Sequence, residues 1–337
     1  MRHAKFFAVL VFAALLGYGA SGFYCLPMAA FQGDLTRMGM LPESQFGWRK
    51  LQPPINPQLI QQVSLQQADV LVIGDSFSDK SIWQTVLAQH GIKVRTERWD
   101  SMRGICADFT PWLRAQGFRG RFVVLQLVER NVPEMLENSV ACRHMQYHPN
   151  SKTDAPRYPP IVSFDVNGGN YDGKFSTGFR TLLNVLKYGR LRKTADFNTW
   201  IFHKDVKMAR LANGCELFSH ANCDDALFLT WDKAAEVEGN ALDNIGKLGA
   251  RLGGITPIWV FVPNKSTAYL YPNKQFWNEA ERRFHAPNLL RMTQQAIQEK
   301  TIDLYPANNT HFSTEGYLLM GEEILKAIQQ AQLQGQR

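Results

Sequence analysis

Continuous apolar runs and segments of helical periodicity alternate in the first and last thirds of the chain. Val70–Ile73, Phe122–Val128 and Ile255–Val262 are apolar runs interrupted only by Gln126 and Thr256, a pattern typical of strands buried on both faces of a parallel sheet. Ile92–Arg98 predicts a further strand, and a short last strand is expected over 301–304.

Helical patterns separate these strands. Ile82, Trp83, Val86 and Leu87 lie at helical spacing, which predicts a helix that begins near Ser76 or Ser78 and ends at His90-Gly91. Further helices are predicted over 109–116, 179–192, 232–251, 275–300 and 314–333. Alternating strands and helices predict an α/β fold with a parallel sheet.

Two segments lack this alternation. Residues 27–67 hold five prolines and no sustained periodicity, which predicts a linker or a wrapping arm. A second break, at about 133–250, predicts a large insertion. The expected organisation is a targeting segment at 1–26, the arm at 27–67, and an α/β domain at 68–337 that carries the insertion.

The N-terminus has the pattern of a targeting segment. Arg2, His3 and Lys5 precede an apolar stretch that starts at Phe6 and continues to about Leu26. This pattern fits a signal peptide, with small residues for cleavage at 20–22, or an uncleaved anchor of about 20 apolar residues. Either alternative places the rest of the chain outside the cytoplasm. We expect a periplasmic protein, released or anchored to the inner membrane by residues 6–26.

Cysteine usage agrees with export. Apart from Cys25, the chain has Cys106, Cys142, Cys215 and Cys223, an even number that predicts disulfides in an oxidising compartment. The short, turn-rich loop between Cys215 and Cys223 favours a local bridge, which leaves Cys106 for Cys142, although the sequence allows three pairings. The alternative is a metal site built from Cys142, His144 and His148, but its spacing matches no zinc signature.

Composition excludes several classes of protein. The 337 residues are 45% hydrophobic and 20% charged, which excludes a polytopic membrane protein, a collagen and a disordered tail. Thirty-seven Lys and Arg against 30 Asp and Glu give a net charge of +7. Because no basic run is present, we expect no nucleic-acid partner; the excess is compatible with an anionic polysaccharide.

A candidate nucleophile follows the first predicted strand. Ser76 in Gly74-Asp75-Ser76-Phe77 would lie at the carboxyl edge of the sheet, where open α/β folds bind ligands. The alternative is that Ser76 and Asp79 form a Ser-x-x-Asp helix cap. A serine nucleophile needs a base, and His311 lies in a polar loop before the last predicted helix, at the same edge. Its alternative is a loop histidine beside a cap at Ser313.

Together these segments resemble the SGNH, or GDSL, hydrolase superfamily, whose members place a Gly-Asp-Ser turn early and a histidine before the last helix. A closer resemblance is to the alginate-type polysaccharide O-acetyltransferases, over about residues 68–135 and 255–330. The matching segments are Gly74–Phe77, Val128-Glu129-Arg130, Pro263-Asn264-Lys265 with Tyr269 or Tyr271, and Asn309-Thr310-His311-Phe312. The alginate enzymes carry their histidine segment before the serine, whereas this chain has the order of ordinary SGNH hydrolases.

The resemblance implies a flavodoxin-like, three-layer fold with Ser76 as nucleophile and His311 as base. Asn309, or Asn308 in the other spacing, stands where the family has an aspartate that orients the histidine. It also implies an oxyanion hole that includes Gly104 and either Arg130 or Asn131, with Asp75 and Lys265 near the site. For Glu129-Arg130 the alternative is a salt-bridged strand end.

The function implied is acetyl transfer to an extracytoplasmic polysaccharide, without a cofactor, in exopolysaccharide biosynthesis. The implied acetyl donor is a membrane-bound O-acyltransferase. Two alternatives remain: a GDSL-type carbohydrate esterase, and a non-catalytic glycan-binding or scaffold protein, which the Asn309 departure favours. Aromatic residues of the insertion are predicted to stack on sugar rings or simply to pack. They are Tyr147, Tyr158, Tyr171 and Trp200.

Overall fold

The computed structural model describes residues 2–148, 174–194, 198–233, 237 and 239–334. The chain forms two compact units. The first unit comprises Met1–Leu51, Val162–Trp231 and Pro306–Thr310. The second unit comprises Gln52–Ile161, Asp232–Tyr305 and His311–Arg337.

The described residues contain seven strands and fourteen α-helices. The strands are β1 Val70–Gly74, β2 Val94–Arg98, β3 Phe122–Val128, β4 Thr199–His203, β5 Val206–Arg210, β6 Asp225–Leu229 and β7 Thr256–Val262. The helices are α1 Arg2–Cys25, α2 Asp34–Gly39, α3 Glu43–Phe46, α4 Gln84–Gln89, α5 Trp99–Met102, α6 Phe109–Ala115, α7 Val132–Ala141, α8 Phe175–Leu191, α9 Gly214–Leu217, α10 Ala241–Ala250, α11 Lys265–Tyr269, α12 Gln275–Phe284, α13 Leu289–Gln298 and α14 Thr314–Gln334.

The second unit is built on a four-stranded sheet in the order β2-β1-β3-β7. Every neighbouring pair in it is parallel. Each residue of β1 and β3 is buried, as expected where both faces of a sheet are covered. The predicted α/β class with a parallel sheet is therefore confirmed. Because all four strands run the same way, their carboxyl ends share one edge of the sheet.

The structure corrects several predicted elements. Residues 301–304 form no strand: Asp303 has a φ of 58°, the left-handed region, which turns the chain. The predicted helix over 275–300 is two helices, α12 and α13. His285 has a φ of 54° at the end of α12, and Pro287 follows it and cannot donate a helical hydrogen bond. Of the helix predicted over 232–251, α10 forms the part from Ala241 to Ala250, residues 232 and 233 are not helical, and residues 234–236 and 238 lie outside the described residues.

The first unit has an antiparallel sheet in the order β4-β5-β6. Its core includes Tyr188 of α8 and Met208 of β5, together with Leu35 and Phe46. The last two residues lie in the stretch predicted to be an arm, where α2 and α3 form. This part of the arm is folded because its apolar residues are buried against the small sheet.

The N-terminal helix and the cysteines agree with an exported chain. A candidate membrane span covers His3–Ala29, with a mean hydropathy of 1.9 and none of its most apolar window buried. Disulfides join Cys106 to Cys142 and Cys215 to Cys223, each with a Cα–Cα distance of 4.6 Å. An apolar helix of the signal or anchor type and two disulfides are typical of an oxidising, extracytoplasmic compartment. The alternative metal site is wrong, since the sulfur of Cys142 is already bonded.

Candidate active site

The turn after β1 carries the candidate nucleophile. Residues 76–80 form turns rather than a helix, and α4 begins only at Gln84. Because no helix begins at Ser76, the predicted Ser-x-x-Asp helix cap does not form. Ser76 is half-buried at the carboxyl edge of the sheet. Gly74 is required at the strand end, because a Cβ there would lie 2.4 Å from the Ser78 Oγ.

Asp75 ties this turn to the neighbouring strand. Its Oδ2 accepts the Val128 N–H at 2.6 Å, and its Oδ1 accepts the Phe77 N–H at 3.0 Å. The side-chain amide of Gln126 also donates to Oδ1, at 2.9 Å. A carboxylate that receives three N–H donors has its lone pairs engaged by the scaffold. Asp75 therefore positions the turn.

Gln126 is a positioning residue that the sequence reasoning missed. It lies fully buried in β3, and its Oε1 accepts from the Asp75 N–H at 3.1 Å and from the Ser78 hydroxyl at 2.7 Å. The Trp83 indole donates to the Ser78 Oγ at 3.1 Å. The signal in the sequence was a single amide inside an otherwise apolar strand, since buried polar side chains need specific partners.

Ser76 and His311 are in direct contact. The Nε2 of His311 lies 2.8 Å from the Ser76 Oγ, within hydrogen-bonding distance of a nucleophile and its base. The imidazole packs against Phe77, with ring centroids 4.8 Å apart, and Phe77 in turn meets Phe312 edge-on. These aromatic contacts restrict the ring of His311 and hold it over the turn.

The loop of His311 also contains the cap predicted as its alternative. The hydroxyl of Ser313 accepts the Gly316 N–H at 3.3 Å, and α14 begins at Thr314. The Ser313 N–H donates to the Leu304 carbonyl at 3.0 Å. The two interpretations are compatible, because the cap anchors the loop while the imidazole extends to Ser76.

The residues that precede His311 belong to the first unit, where acidic side chains bind them. Asp34 accepts the Thr310 N–H at 2.9 Å and also the Thr310 hydroxyl. The side-chain amide of Asn308 donates to Glu43, whose pKa is raised because burial penalises the ionised carboxylate. Asn309 is half-buried, and its N–H donates to the Pro306 carbonyl at 3.1 Å. Sequence reasoning missed Asp34 and Glu43, since both lie in the predicted arm.

Gly104, the first oxyanion candidate, is buried in the loop after α5. Its φ is 148°, and a Cβ there would lie 3.1 Å from the Ser139 Oγ. The adjacent Ile105 N–H donates to that same hydroxyl at 3.1 Å. Both the backbone conformation and the close packing favour glycine at this position.

The ends of β3 and β7 are joined by hydrogen bonds. The carboxylate of Glu129 accepts the Asn264 N–H at 2.8 Å, and the Arg130 guanidinium donates to the Asn264 Oδ1 at 3.0 Å. Arg130 and the buried carboxylate of Glu129 thus both bind Asn264, which follows β7. Lys265 is also buried at this edge, whereas Asn131 is exposed.

An acidic and basic cluster lies beside the nucleophile turn. Arg98, at the end of β2, donates to Asp79 at 2.6 Å and to Asp100 at 3.1 Å. Desolvation raises the pKa of Asp79, while Arg98 and His311 oppose that rise.

The two described aromatic candidates, Tyr147 and Trp200, belong to different units. Tyr147 donates to Glu97 at 3.1 Å and its ring packs on Trp112, whereas Trp200 lies in β4 of the first unit beside the ammonium of Lys187. Tyr158 and Tyr171 lie outside the described residues. The contacts of Tyr147 and Trp200 are those of packed side chains.

Comparison of the chain with protein-family models, with curated proteins and with solved structures finds no match.

Proposed function

We propose that this protein is an extracytoplasmic, serine-dependent acyltransferase with an SGNH-like second unit, which moves acetyl groups onto a polysaccharide. The observation that carries the proposal is the 2.8 Å contact between the Ser76 Oγ and the His311 Nε2 at the carboxyl edge of a parallel sheet. A hydroxyl bound to an imidazole in such a position is suited to nucleophilic acyl transfer.

The first half-reaction forms an acetyl-enzyme. His311 accepts the proton of the Ser76 hydroxyl as the Oγ bonds to the acetyl carbonyl carbon. The resulting tetrahedral intermediate collapses when the bond between that carbon and the donor's leaving group breaks. His311 then returns its proton to the leaving group. Backbone amides at the turn and near Gly104 are the proposed donors to the oxyanion.

The second half-reaction transfers the acetyl group to a sugar. A polysaccharide hydroxyl gives its proton to His311 and attacks the acetyl carbonyl carbon. The bond to Ser76 then breaks, and His311 returns the proton to the serine oxygen. We propose a periplasmic location and an activated acetyl donor that a membrane-bound O-acyltransferase supplies at the inner membrane. None of these steps requires a bound cofactor.

Asn309, which directly precedes Thr310, should limit the rate of acetyl-enzyme formation. An asparagine oxygen can orient a histidine, but it adds no negative charge to stabilise the imidazolium. We expect Asn309→Asp to raise the rate of acetyl-enzyme formation, with the exposed Asn240→Asp as the matched control.

The test is incubation with p-nitrophenyl acetate, followed by intact-protein mass spectrometry. We expect one added acetyl group on the wild type and none on Ser76→Ala or His311→Ala. The exposed Ser64→Ala and His90→Ala serve as controls and should retain the adduct. No adduct and no turnover in the folded wild type would contradict the proposal.

A second measurement distinguishes transfer from hydrolysis. Acetylated enzyme is mixed with an oligosaccharide acceptor, and acetate and acetylated sugar are both quantified. Acetate alone, with every acceptor tested, would favour the esterase alternative. Glycan binding that survives Ser76→Ala in a protein that never acquires acetyl would favour the binding-module alternative.

A further inference from the structure

Helix α8 of the first unit carries an exposed apolar face. Phe179, Leu183 and Leu186 follow one another at spacings of four and three residues, so they share one side of the helix. Their exposed fractions are 45%, 49% and 55%. Thr181 and Tyr188, on the opposite side, are buried. The helix therefore packs through one face and presents a second apolar face to its surroundings.

Positive charge surrounds this face. Residues 174–194 contain six Lys and Arg and no Asp or Glu. Arg180, Lys187 and Arg190 are exposed, and the Lys187 ammonium lies 5.4 Å from the ring centroid of Trp200. Exposed leucine and phenylalanine bordered by lysine and arginine are typical of helices that lie at an anionic membrane interface.

The start of α8 contacts the end of α1. The rings of Tyr18 and Phe175 have centroids 5.6 Å apart. A Cβ on Gly178 would lie 1.9 Å from the Cys25 carbonyl oxygen, so glycine is what allows the two backbones to approach. Cys25 itself is buried. Helix α1 is thus packed through its last two turns against α8 of the same unit.

The same end of α1 has the features of a membrane boundary. Its 24 residues extend over about 36 Å, enough to cross a hydrocarbon core of about 30 Å. Tyr18 and Tyr24 are both exposed, and tyrosines are enriched where a membrane helix reaches the headgroups. Because α8 contacts α1 at this level, α8 begins where the bilayer ends.

We propose that α1 is retained as an anchor and that α8 lies on the anionic phospholipid surface from which α1 emerges. In this arrangement Phe179, Leu183 and Leu186 enter the boundary between headgroups and acyl chains. Arg180 and Lys187 contact the phosphates. The proposal does not depend on acyl transfer, so it can fail or hold independently of the proposed function.

The test measures the depth of a nitroxide label by its accessibility to oxygen and to a water-soluble nickel chelate. The full chain, as Cys25→Ala with Leu186→Cys labelled, is placed in nanodiscs that contain phosphatidylglycerol. The matched control is a label at Lys247→Cys, on the exposed side of α10. We expect the label at 186 to be protected from the chelate and accessible to oxygen, and the label at 247 to show the opposite.

Five further outcomes decide the proposal. Arg180→Glu with Lys187→Glu should remove the protection at position 186, as should nanodiscs of phosphatidylcholine alone. Equal accessibility at 186 and 247 would overturn the proposal, as would protection that appears only after membrane proteins are added. An intact mass that lacks residues 1–22 after expression in a secreting host would overturn it as well, because Tyr18 would then be absent.

Discussion

Gln126 and Asp75 form a reciprocal pair of hydrogen bonds between two neighbouring strand ends. The Asp75 N–H donates to the Gln126 Oε1 at 3.1 Å, and the Gln126 amide donates to the Asp75 Oδ1 at 2.9 Å. The pair fixes the residue directly before Ser76 relative to β3. The catalytic geometry proposed here therefore depends on a buried amide that binds Asp75 and Ser78, on either side of Ser76 in the turn.

Gln126→Leu should weaken both the fold and the site. Losing the amide leaves the Asp75 N–H and the Ser78 hydroxyl without their buried partner, which should lower the free energy of unfolding by about 2–4 kcal/mol. Denaturant unfolding in mild detergent measures this loss, and intact mass measures acetyl-enzyme formation. The exposed Gln89→Leu is the control. A variant with unchanged stability and acetylation would show that the network does not position the turn.

Gly74→Ala should disrupt the nucleophile turn, whereas Gly249→Ala should stabilise the protein. At position 74 the new methyl would collide with Ser78, so the nucleophile turn must shift and acetylation of Ser76 should fall at least tenfold. At position 249, near the end of α10, an added Cβ would meet no atom within 4 Å beyond its chain neighbours and the backbone of its own helix, so alanine should stabilise the helix by up to about 1 kcal/mol. Thermal unfolding and acetylation rates check both; equal behaviour of the two variants would refute the steric argument.

Glu43 should make the stability of the first unit depend on pH. Its pKa is raised above 4.5 because burial penalises the charged carboxylate, although the hydrogen bond from Thr36 opposes the rise. A raised pKa in the folded state contributes stability that is present below the unfolded pKa and is lost as the pH rises through the folded pKa. The wild type should therefore lose stability relative to Glu43→Gln as the pH rises from below 4.5 through the raised pKa of Glu43.

Unfolding midpoints of both proteins across this range measure the difference, with the exposed Glu299→Gln as the control. A stability difference between the wild type and Glu43→Gln that stays constant with pH would contradict the assignment.

The two disulfides should differ in how much they contribute to the free energy of unfolding. The Cys106–Cys142 bridge closes a separation of 36 residues, and the Cys215–Cys223 bridge one of 8. In the chain-entropy model these loops contribute about 4 and about 2.5 kcal/mol respectively. Replacing both cysteines of one bridge by alanine should therefore destabilise the protein more for the longer loop. Denaturant midpoints of the two double variants measure this, and the reverse order would show that native-state effects dominate.

Much of the secondary structure of the second unit could be predicted from the local pattern of apolar residues. Residues of β1, β3 and β7 are apolar enough to predict strands buried on both faces, and parallel strands bring their carboxyl ends to one edge. Ser76 and His311 could therefore be predicted to lie near each other. Residues 301–304 and the break at His285 could not be placed correctly, because left-handed backbone at non-glycine residues depends on the surrounding packing.

The sequence by itself determined the chemistry available: an apolar N-terminal segment, four cysteines fit for pairing, and a serine and a histidine in polar turns at strand ends. Only the tertiary structure decided which groups meet. Periodicity reports which face of an element is buried, but partners distant in the chain, such as Asp75 with Gln126 or Thr310 with Asp34, are chosen by packing. Folding also placed part of the proline-rich arm in a core, since Leu35 and Phe46 are buried there against the small sheet.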